Sequence, residues 1–231
     1  MKKLFTLLLV LLSCIALNAQ RGKIYNSLEE ALKTPDQVYI LSLSYNRLNS
    51  IPESIGQLEN LTYLKLEWNS LTSLPEAIGQ LKNLERLDLY SNRLTSLPES
   101  LGQLTNLWEL KLGLNRFTSL PESIGRLTNL ERLELNTTYR YLTSSPEFIG
   151  QLKNLTSLEL KNNQLTSLPD FVVKLTNLNY LNLEFNQLTS LPESIGQLKN
   201  LVGLYLKGNQ LKESEKEKIK ELLPNCKIKF E

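Results

Sequence analysis

Apolar and polar positions along most of the chain follow one pattern that recurs about every 23 residues. In Leu64-Lys65-Leu66 two apolar residues flank a polar one, which predicts a short strand with one buried face. One such strand cannot hide its leucines from water, so we expect successive units to stack as parallel strands around a shared core. Three residue types recur in step with these leucines: Pro52, Pro75, Pro98, Pro121, Pro146, Pro169 and Pro192; Gly56, Gly79, Gly102 and Gly125; Asn46, Asn69, Asn92, Asn115, Asn163, Asn186 and Asn209.

The unit that spans residues 61–83 has the pattern LxxLxLxxNxLxxLPxxIGxLxN, which resembles the leucine-rich repeat family in its bacterial secreted form. Eight such units begin at Val38, Leu61, Leu84, Leu107, Leu130, Leu155, Leu178 and Leu201. The resemblance implies an α/β fold: a right-handed solenoid, curved like a horseshoe, with a parallel β-sheet on the concave face. Short helical turns are then expected on the convex face.

The recurring Asn and Pro have separate expected tasks. The Asn follows the strand, where its amide can satisfy backbone groups of adjacent turns inside the core. The Pro fits the first position of a short helical turn, where its missing N–H is harmless. An acidic residue follows each Pro: Glu53, Glu76, Glu99, Glu122, Glu147, Asp170 and Glu193. These acids could form a cation site, but acids also favour a helix N-terminus and the convex turns should separate them, so we predict no metal site.

Residues 1–19 have the order of a secretory signal peptide. Two lysines precede an almost unbroken apolar run from Leu4 to Leu12, and the small Ala19 stands before Gln20. A membrane-spanning helix and a buried N-terminal helix are the alternatives. Spanning a bilayer needs about 20 apolar residues, and polar residues such as Ser13 interrupt this stretch. We therefore predict cleavage after Ala19 and a secreted or cell-surface protein.

A lipid anchor is the competing prediction for this segment. Leu11-Leu12-Ser13-Cys14 resembles a bacterial lipobox, in which Cys14 would be the lipidated residue. The apolar run continues beyond Cys14, however, where lipoproteins usually become polar. Membrane attachment is expected only if Cys14 is lipidated. Cleavage after Ala19 removes this thiol and leaves Cys226 without an intrachain disulfide partner.

Both ends of the repeats are expected to be sealed. Ser27 and Glu30 have capping-box spacing and predict a short helix through Lys33, and Ser214 with Glu217 predicts a second helix. The alternation of Cys226, Ile228 and Phe230 with two lysines predicts a strand over the last leucines. The expected organisation is a signal peptide over 1–19, an N-terminal helical cap over 20–37, a leucine-rich repeat domain of eight repeats over 38–211, and a C-terminal cap over 212–231.

Composition argues against catalysis and against nucleic acid. The chain has no His, which removes the usual general base and the commonest metal ligand. Cleavage after Ala19 leaves 24 basic and 24 acidic residues, a balance unlike the clustered basic face that a polyanion needs. Cys226 lies in an apolar pattern without a His partner, so we expect it to be buried and inert. We predict no enzyme, no catalytic residue and no cofactor.

Residues that flank the buried leucines are expected to point out of the concave sheet and to form the binding surface. Its candidates are Tyr63, Lys65, Trp68, Arg86, Asp88, Tyr90, Glu109, Lys111, Arg132, Glu134, Tyr180, Phe185 and Tyr205. The charges alternate in sign between neighbouring strands and can compensate each other. The aromatic residues gather early and late in the chain, and such residues are enriched at interface hot spots. Alternatively, Trp68 and Phe185 pack into their own turns.

The fifth unit carries two extra residues. Thr138 stands where Asn is expected, and a hydroxyl can replace only part of the amide's hydrogen bonding. Insertions in repeat proteins often lie on the binding face, so the tip formed by Tyr139, Arg140 and Tyr141 is a further candidate contact. A tolerated loop insertion is the alternative.

These features predict a non-catalytic protein that binds another protein through its concave face, as a monomer. An envelope- or carbohydrate-binding protein, or a structural surface lipoprotein, is the alternative. The sequence does not name the partner, because side chains on an unchanged frame decide the ligand.

Overall fold

Short parallel strands form one open sheet, and their order in the sheet is their order in the chain. The computed structural model describes residues 22–138 and 146–231. Its strands are β1 (Ile24–Tyr25), β2 (Ile40–Ser42), β3 (Tyr63–Lys65), β4 (Arg86–Asp88), β5 (Glu109–Lys111), β6 (Arg132–Glu134), β7 (Ser157–Glu159), β8 (Tyr180–Asn182), β9 (Gly203–Tyr205) and β10 (Lys227–Lys229). Each repeat places equivalent residues in register, as Leu64 with Leu87. The predicted parallel stacking is confirmed.

Short 3-10 helical turns stack on one another as the strands do. They span Pro35–Gln37, Glu53–Gln57, Glu76–Gln80, Glu99–Gln103, Glu122–Arg126, Glu147–Gln151, Val172–Lys174 and Glu193–Gln197. The recurring Pro lies one residue before the turn, so the prediction that it occupies the first helical position is wrong. Pro52 has an extended ψ of 159°, and its carbonyl accepts the first hydrogen bond of the turn from the Ile55 N–H at 3.1 Å.

Most acids that follow a Pro open one of these turns, as a helix N-terminus favours. Glu53 also reaches the next turn, where Oε2 accepts a hydrogen bond from the Ala77 N–H at 2.9 Å. Asp170 is an exception because its turn begins only at Val172. Across residues 22–138 and 146–231, no three His, Cys, Asp or Glu side chains are grouped so that they could hold a metal ion.

The leucines that the repeat directs inward form one apolar core that runs from Tyr25 to Leu223. Leu64, Leu87 and Leu110 lie at equivalent strand positions and are buried. Because each strand is only three residues long, its leucines are covered by the adjacent repeats. Stability is therefore shared between neighbours.

The recurring Asn joins adjacent repeats from inside, as predicted. Asn69 Nδ2 donates hydrogen bonds to the carbonyls of Leu43 and Leu66 at 2.8 and 3.0 Å. Its Oδ1 accepts from the N–H groups of Asn46 and Leu48 at 3.1 and 3.0 Å. Equivalent bonds are made by Asn92, Asn115, Asn163, Asn186 and Asn209. These side chains supply partners that buried backbone groups require.

Thr138 replaces part of this bonding in the fifth repeat. Its buried hydroxyl carries one proton and lies 3.2 Å from the Leu112 carbonyl and 3.3 Å from the Asn136 carbonyl. Its backbone N–H donates to Asn163 Oδ1 at 2.7 Å, so the ladder continues into the next repeat. The candidate tip residues Tyr139, Arg140 and Tyr141 lie outside the described residues.

The N-terminal end carries a strand that the sequence pattern did not predict. β1 pairs in parallel with β2 and buries Tyr25 against the core. The Ser27 hydroxyl accepts a hydrogen bond from the Glu30 N–H at 3.4 Å, as the capping box predicts, and helix α1 spans Leu28–Ala31. The helix ends two residues before the expected Lys33. The predicted signal peptide, residues 1–19 with Cys14, lies outside the described residues.

Helix α2 (Glu213–Leu222) and β10 form the C-terminal end. The predicted capping box at Ser214 is wrong, because the N-cap is Lys212, two residues earlier, and makes no side-chain capping bond. Glu215 instead accepts a hydrogen bond from the Leu191 N–H at 3.0 Å and ties the helix to the last repeats. β10 pairs with β9, as expected for a strand that covers the last leucines. In the described part of the chain, no helix has the length and apolar character that crossing a bilayer requires.

Candidate binding surface

The outward residues of β2–β9 and the residues just after each strand form one continuous surface, which we call the exposed sheet face. Every candidate predicted from the flanking positions lies on it: Tyr63 and Lys65 on β3, Arg86 and Asp88 on β4, Glu109 and Lys111 on β5, Arg132 and Glu134 on β6, Tyr180 on β8, Tyr205 on β9, and Trp68, Tyr90 and Phe185 shortly after β3, β4 and β8. Their order on the face follows directly from the parallel register.

The charges in the middle of this face form ion pairs between strands. Arg86 Nε lies 2.8 Å from Glu109 Oε2, and Arg132 Nε lies 3.8 Å from Glu109 Oε1. Lys111 Nζ lies 3.5 Å from Asp88 Oδ2. Glu109 is almost fully covered, with 7% of its side chain exposed, so two guanidinium groups share a buried carboxylate. Charges of opposite sign on neighbouring strands therefore pair with each other, as their alternation in the sequence predicts.

Burial affects the pKa of these groups in opposite directions. It raises the pKa of Asp88, and the hydrogen bond from the Tyr90 N–H and the charge of Lys111 only partly offset the rise. Burial lowers the pKa of Lys111, but the negative charges of Asp88 and Glu109 outweigh it, so the pKa is raised overall. Both groups of this pair therefore bind protons more tightly than in water.

Three aromatic side chains form an early aromatic cluster, which comprises Tyr45, Trp68 and Tyr90. The rings of Tyr45 and Trp68 are stacked, with centroids 5.8 Å apart and planes 9° from parallel. Tyr90 lies 5.9 Å from Trp68 at a 59° tilt. Tyr45 is 69% exposed, and sequence reasoning missed it although it directly precedes Asn46, as Trp68 precedes Asn69. That shared repeat position was the signal that could have found it.

The residue before the recurring Asn adopts a left-handed backbone conformation in every repeat. The residues at this position are Tyr45, Trp68, Ser91, Leu114, Thr137, Asn162, Phe185 and Gly208, with φ between 53° and 73°. The Trp68 N–H donates to the Tyr90 carbonyl of the next repeat at 3.0 Å. Ser91 and Leu114 make the equivalent backbone hydrogen bond, so this conformation does not depend on the side chain. Trp68 and Phe185 remain 47% and 45% exposed, which overturns the alternative that they pack into their own turns.

Tyr180 and Tyr205, which line one cavity, form the late aromatic cluster, and Phe185 lies after β8. Tyr180 is 49% exposed. Gly203 lies between the two tyrosine rings, since a Cβ there would be 3.0 Å from Tyr180 and 3.2 Å from Tyr205. Lys161 Nζ lies 5.0 Å from the centre of the Phe185 ring. The two tyrosine rings therefore occupy the space over Gly203.

Cys226 lies away from the exposed sheet face and is packed against the core. Its exposure is intermediate and its burial less complete than predicted. Burial nevertheless raises the pKa of the thiol, so the thiolate fraction at neutral pH is small. Neither its pKa nor its surroundings favour a nucleophile.

Family models match almost all of the repeats. A leucine-rich repeat region matches residues 37–160, and a second leucine-rich repeat model matches residues 153–211. The first match alone covers more than half of the 231 residues. The chain is a member of the leucine-rich repeat family. Comparison with curated proteins gives no match.

Solved structures of leucine-rich repeat proteins have the same fold. An internalin (inlF) from Listeria monocytogenes is 26% identical, with a TM-score of 0.71 over 84% of this chain and 54% of that chain. This leucine-rich repeat protein thus spans about half the length of that internalin. The leucine-rich repeat domain of the type III effector XopL is 27% identical, with a TM-score of 0.68 over 85% of this chain and 71% of that domain.

A plant receptor provides a relative with a bound partner. The ectodomain of the receptor kinase GASSHO1/SCHENGEN3 from Arabidopsis thaliana is 33% identical, with a TM-score of 0.55 over 76% of this chain and 25% of that chain. That structure contains the receptor in complex with CASPARIAN STRIP INTEGRITY FACTOR 2. The leucine-rich repeat fold is a scaffold for protein–protein interaction.

Proposed function

We propose that this leucine-rich repeat protein is a non-catalytic, monomeric module that binds a protein partner through its exposed sheet face after export from a bacterium. Residues 1–19 act as a signal peptide, residues 38–211 form the binding domain, and residues 20–37 and 212–231 cap its ends. The partner is not a nucleic acid, because the charges at the centre of the face already pair with one another.

The observation that carries this proposal is the exposure of large aromatic side chains at strained backbone positions. A residue with a Cβ in the left-handed conformation costs about 1–2 kcal/mol, and Gly or Asn tolerates it better. Gly208 and Asn162 occupy the same repeat position as Trp68 and Phe185. The exposed Trp68 ring buries only part of its surface in return. Contact with a partner is a physical reason for accepting this strain, since Trp and Tyr dominate interface hot spots.

The geometry of the early aromatic cluster favours a protein over a sugar. Sugars stack on the flat face of an aromatic ring, but one face of Trp68 is already occupied by Tyr45. The exposed ring edges suit packing against apolar side chains of a protein. The complex of the plant receptor with its partner supports the same class of ligand.

Trp68→Asn separates a binding role from a folding role. We expect the urea midpoint to stay the same or to rise slightly, because Asn adopts a positive φ more easily. Binding should fall at least tenfold, about the loss expected at a hot spot. The measurement is quantitative affinity capture from envelope and host protein extracts, beside a glycan array.

Leu114→Asn is the matched control, because it introduces the same residue at the same repeat position outside both aromatic clusters. The Leu114→Asn variant should capture the same proteins, in the same amounts, as the parent protein. Equal capture by Trp68→Asn and by the parent protein contradicts the proposed binding surface. Binding to glycans alone favours the carbohydrate alternative.

Export makes a separate prediction about the mature N-terminus. Intact-mass analysis of the protein secreted by a Gram-negative host should find a chain that begins at Gln20. A mature chain that begins at a diacylated Cys14 contradicts the proposed cleavage and establishes the surface lipoprotein.

A further inference from the structure

The alternation of charge along the exposed sheet face breaks between β6 and β7. The row between the strand leucines runs Lys65, Asp88, Lys111 and Glu134, with opposite signs on adjacent strands. β7 then places Glu159 directly opposite Glu134. Adjacent strands lie about 4.8 Å apart. Like charges in that arrangement destabilise a sheet unless something compensates them.

Basic side chains close to this carboxylate pair form their ion pairs elsewhere. Lys111 pairs with Asp88, Arg132 pairs with Glu109, and Lys161 pairs with Glu184 at 3.2 Å. Within the ranges 22–138 and 146–231, neither Glu134 nor Glu159 takes part in an ion pair.

Neutral amides provide the hydrogen bonds of the two carboxylates. Asn136 Nδ2 donates to Glu134 Oε1 at 3.0 Å, and Asn182 Nδ2 donates to Glu159 Oε2 at 2.9 Å. Burial raises the pKa of Glu134, the Asn136 hydrogen bond and the charge of Lys111 partly offset the rise, and the charge of Glu159 adds to it. The pair therefore has positioned acceptor oxygens and no ion-pair partner among the described residues.

Open space adjoins the pair on both sides of Ser157. A cavity of about 300 Å³ is lined by Glu134, Glu159 and Ser157, and also by the basic side chains of Lys111 and Arg132. A second cavity of about 560 Å³ shares Arg132, Ser157 and Glu159 and extends to Tyr180 and Tyr205. Ser157, which has a small side chain, lines both cavities. A partner's side chain can therefore reach the carboxylates.

Tyr180 and Tyr205 form an aromatic wall beside Glu159. Both line the larger cavity together with Glu159, and Tyr180 is half exposed. A guanidinium group can stack on an aromatic face while its N–H fork binds carboxylates. An ammonium group has no planar fork, and a neutral side chain forms no ion pair with the two carboxylates.

We propose that the exposed sheet face binds an arginine side chain of the protein partner, whose guanidinium bridges Glu134 and Glu159 against the Tyr180 ring. The inference rests on the proposed function and adds the chemistry of its ligand. The two negative charges favour a positively charged ligand. We expect an extended segment of the partner to place its arginine side chain beside Ser157, between the two carboxylates. The late aromatic cluster then contacts the apolar residues of the same segment.

The test uses N-acetyl-arginine N-methylamide as the probe, titrated at low ionic strength into the isotope-labelled full chain and followed by NMR. We expect shifts of the amide signals of β6, β7 and β8. The affinity should be at least tenfold higher than for the citrulline analogue, which keeps the shape and loses the charge, and higher than for the lysine analogue. Equal affinity for arginine and citrulline, or shifts confined to other strands, overturns the proposal.

The double variant Glu134→Gln/Glu159→Gln should weaken arginine binding at least tenfold. Glu76→Gln/Glu99→Gln, an equal charge change at two exposed sites on the turns, should leave it within twofold. An unchanged pattern of amide signals outside β6–β8 verifies that the Glu134→Gln/Glu159→Gln variant is folded. Unchanged arginine affinity in that variant also overturns the proposal.

Failure of the arginine proposal and failure of the proposed function give different results in these two experiments. If Trp68→Asn abolishes protein capture but arginine and citrulline bind equally, the exposed sheet face binds a protein without this arginine contact. If arginine binds as expected but capture is insensitive to Trp68, the arginine site stands and the early aromatic cluster is not the binding surface.

Discussion

Replacing Asn92 by Ala should lower the free energy of unfolding by about 3–4 kcal/mol. The buried side chain accepts a hydrogen bond from the Leu71 N–H at 3.0 Å and donates to the carbonyls of Leu66 and Leu89 at 2.9 and 3.1 Å. Ala leaves these backbone groups without a partner in a site that water does not reach. Each orphaned buried group costs about 1 kcal/mol or more.

Asn83→Ala is the matched control for this substitution. Asn83 is exposed, and its Nδ2 donates to the Glu59 carbonyl at 2.9 Å. Water can replace that bond, so we expect a loss below about 1 kcal/mol. Urea unfolding followed by circular dichroism measures both variants. Equal losses for the two variants contradict the view that burial makes the inner Asn ladder important.

Gly102→Ala should destabilise the protein by about 2–3 kcal/mol, the usual cost of forcing atoms into a packed site. A Cβ at Gly102 would lie 2.5 Å from the Ser123 carbonyl oxygen and 2.6 Å from Ser123 Cβ. Both belong to the next turn of the stack, which spans Glu122–Arg126. Because a backbone carbonyl cannot rotate away as a long side chain can, the two turns must separate.

Gly196 provides the control because it occupies the same position in the last complete turn. The nearest atom to a Cβ there is the Leu222 carbonyl oxygen at 3.3 Å, in helix α2. Gly196→Ala should change the stability by less than about 0.5 kcal/mol, since the mild contact opposes the gain from a stiffer unfolded chain. A comparable loss in both variants, measured by urea unfolding, means that the close approach of adjacent turns does not explain the recurring Gly.

The repeat pattern was enough to predict which positions face inward, but not which turn residues are exposed. Leucines at fixed spacing can be buried together in only one stacking register. Trp68 and Phe185 were ambiguous because an aromatic ring suits either a core or an interface. Their exposure follows from the left-handed backbone at that position, which directs the side chain outward.

At the two ends of the repeats, too, the sequence pattern predicted some elements and not others. Alternating apolar residues correctly predicted β10, whereas the two-residue strand β1 is too short to show a periodic pattern. The spacing of Ser214 and Glu217 matched a capping box, yet helix α2 starts at Glu213 because Glu215 bonds to Leu191 of the last repeats. A contact between distant segments thus overrode a local signal.

The sequence by itself determined the parallel stacking, the leucine core and the inward Asn ladder, because these depend only on periodic spacing. Tertiary structure alone decided how the side chains of the exposed sheet face pair. Lys161 reaches Glu184 and Arg132 reaches Glu109, so Glu134 and Glu159 have no ion-pair partner within the described chain. Spacing places charges side by side, but the distances between side-chain atoms decide which of them are neutralised.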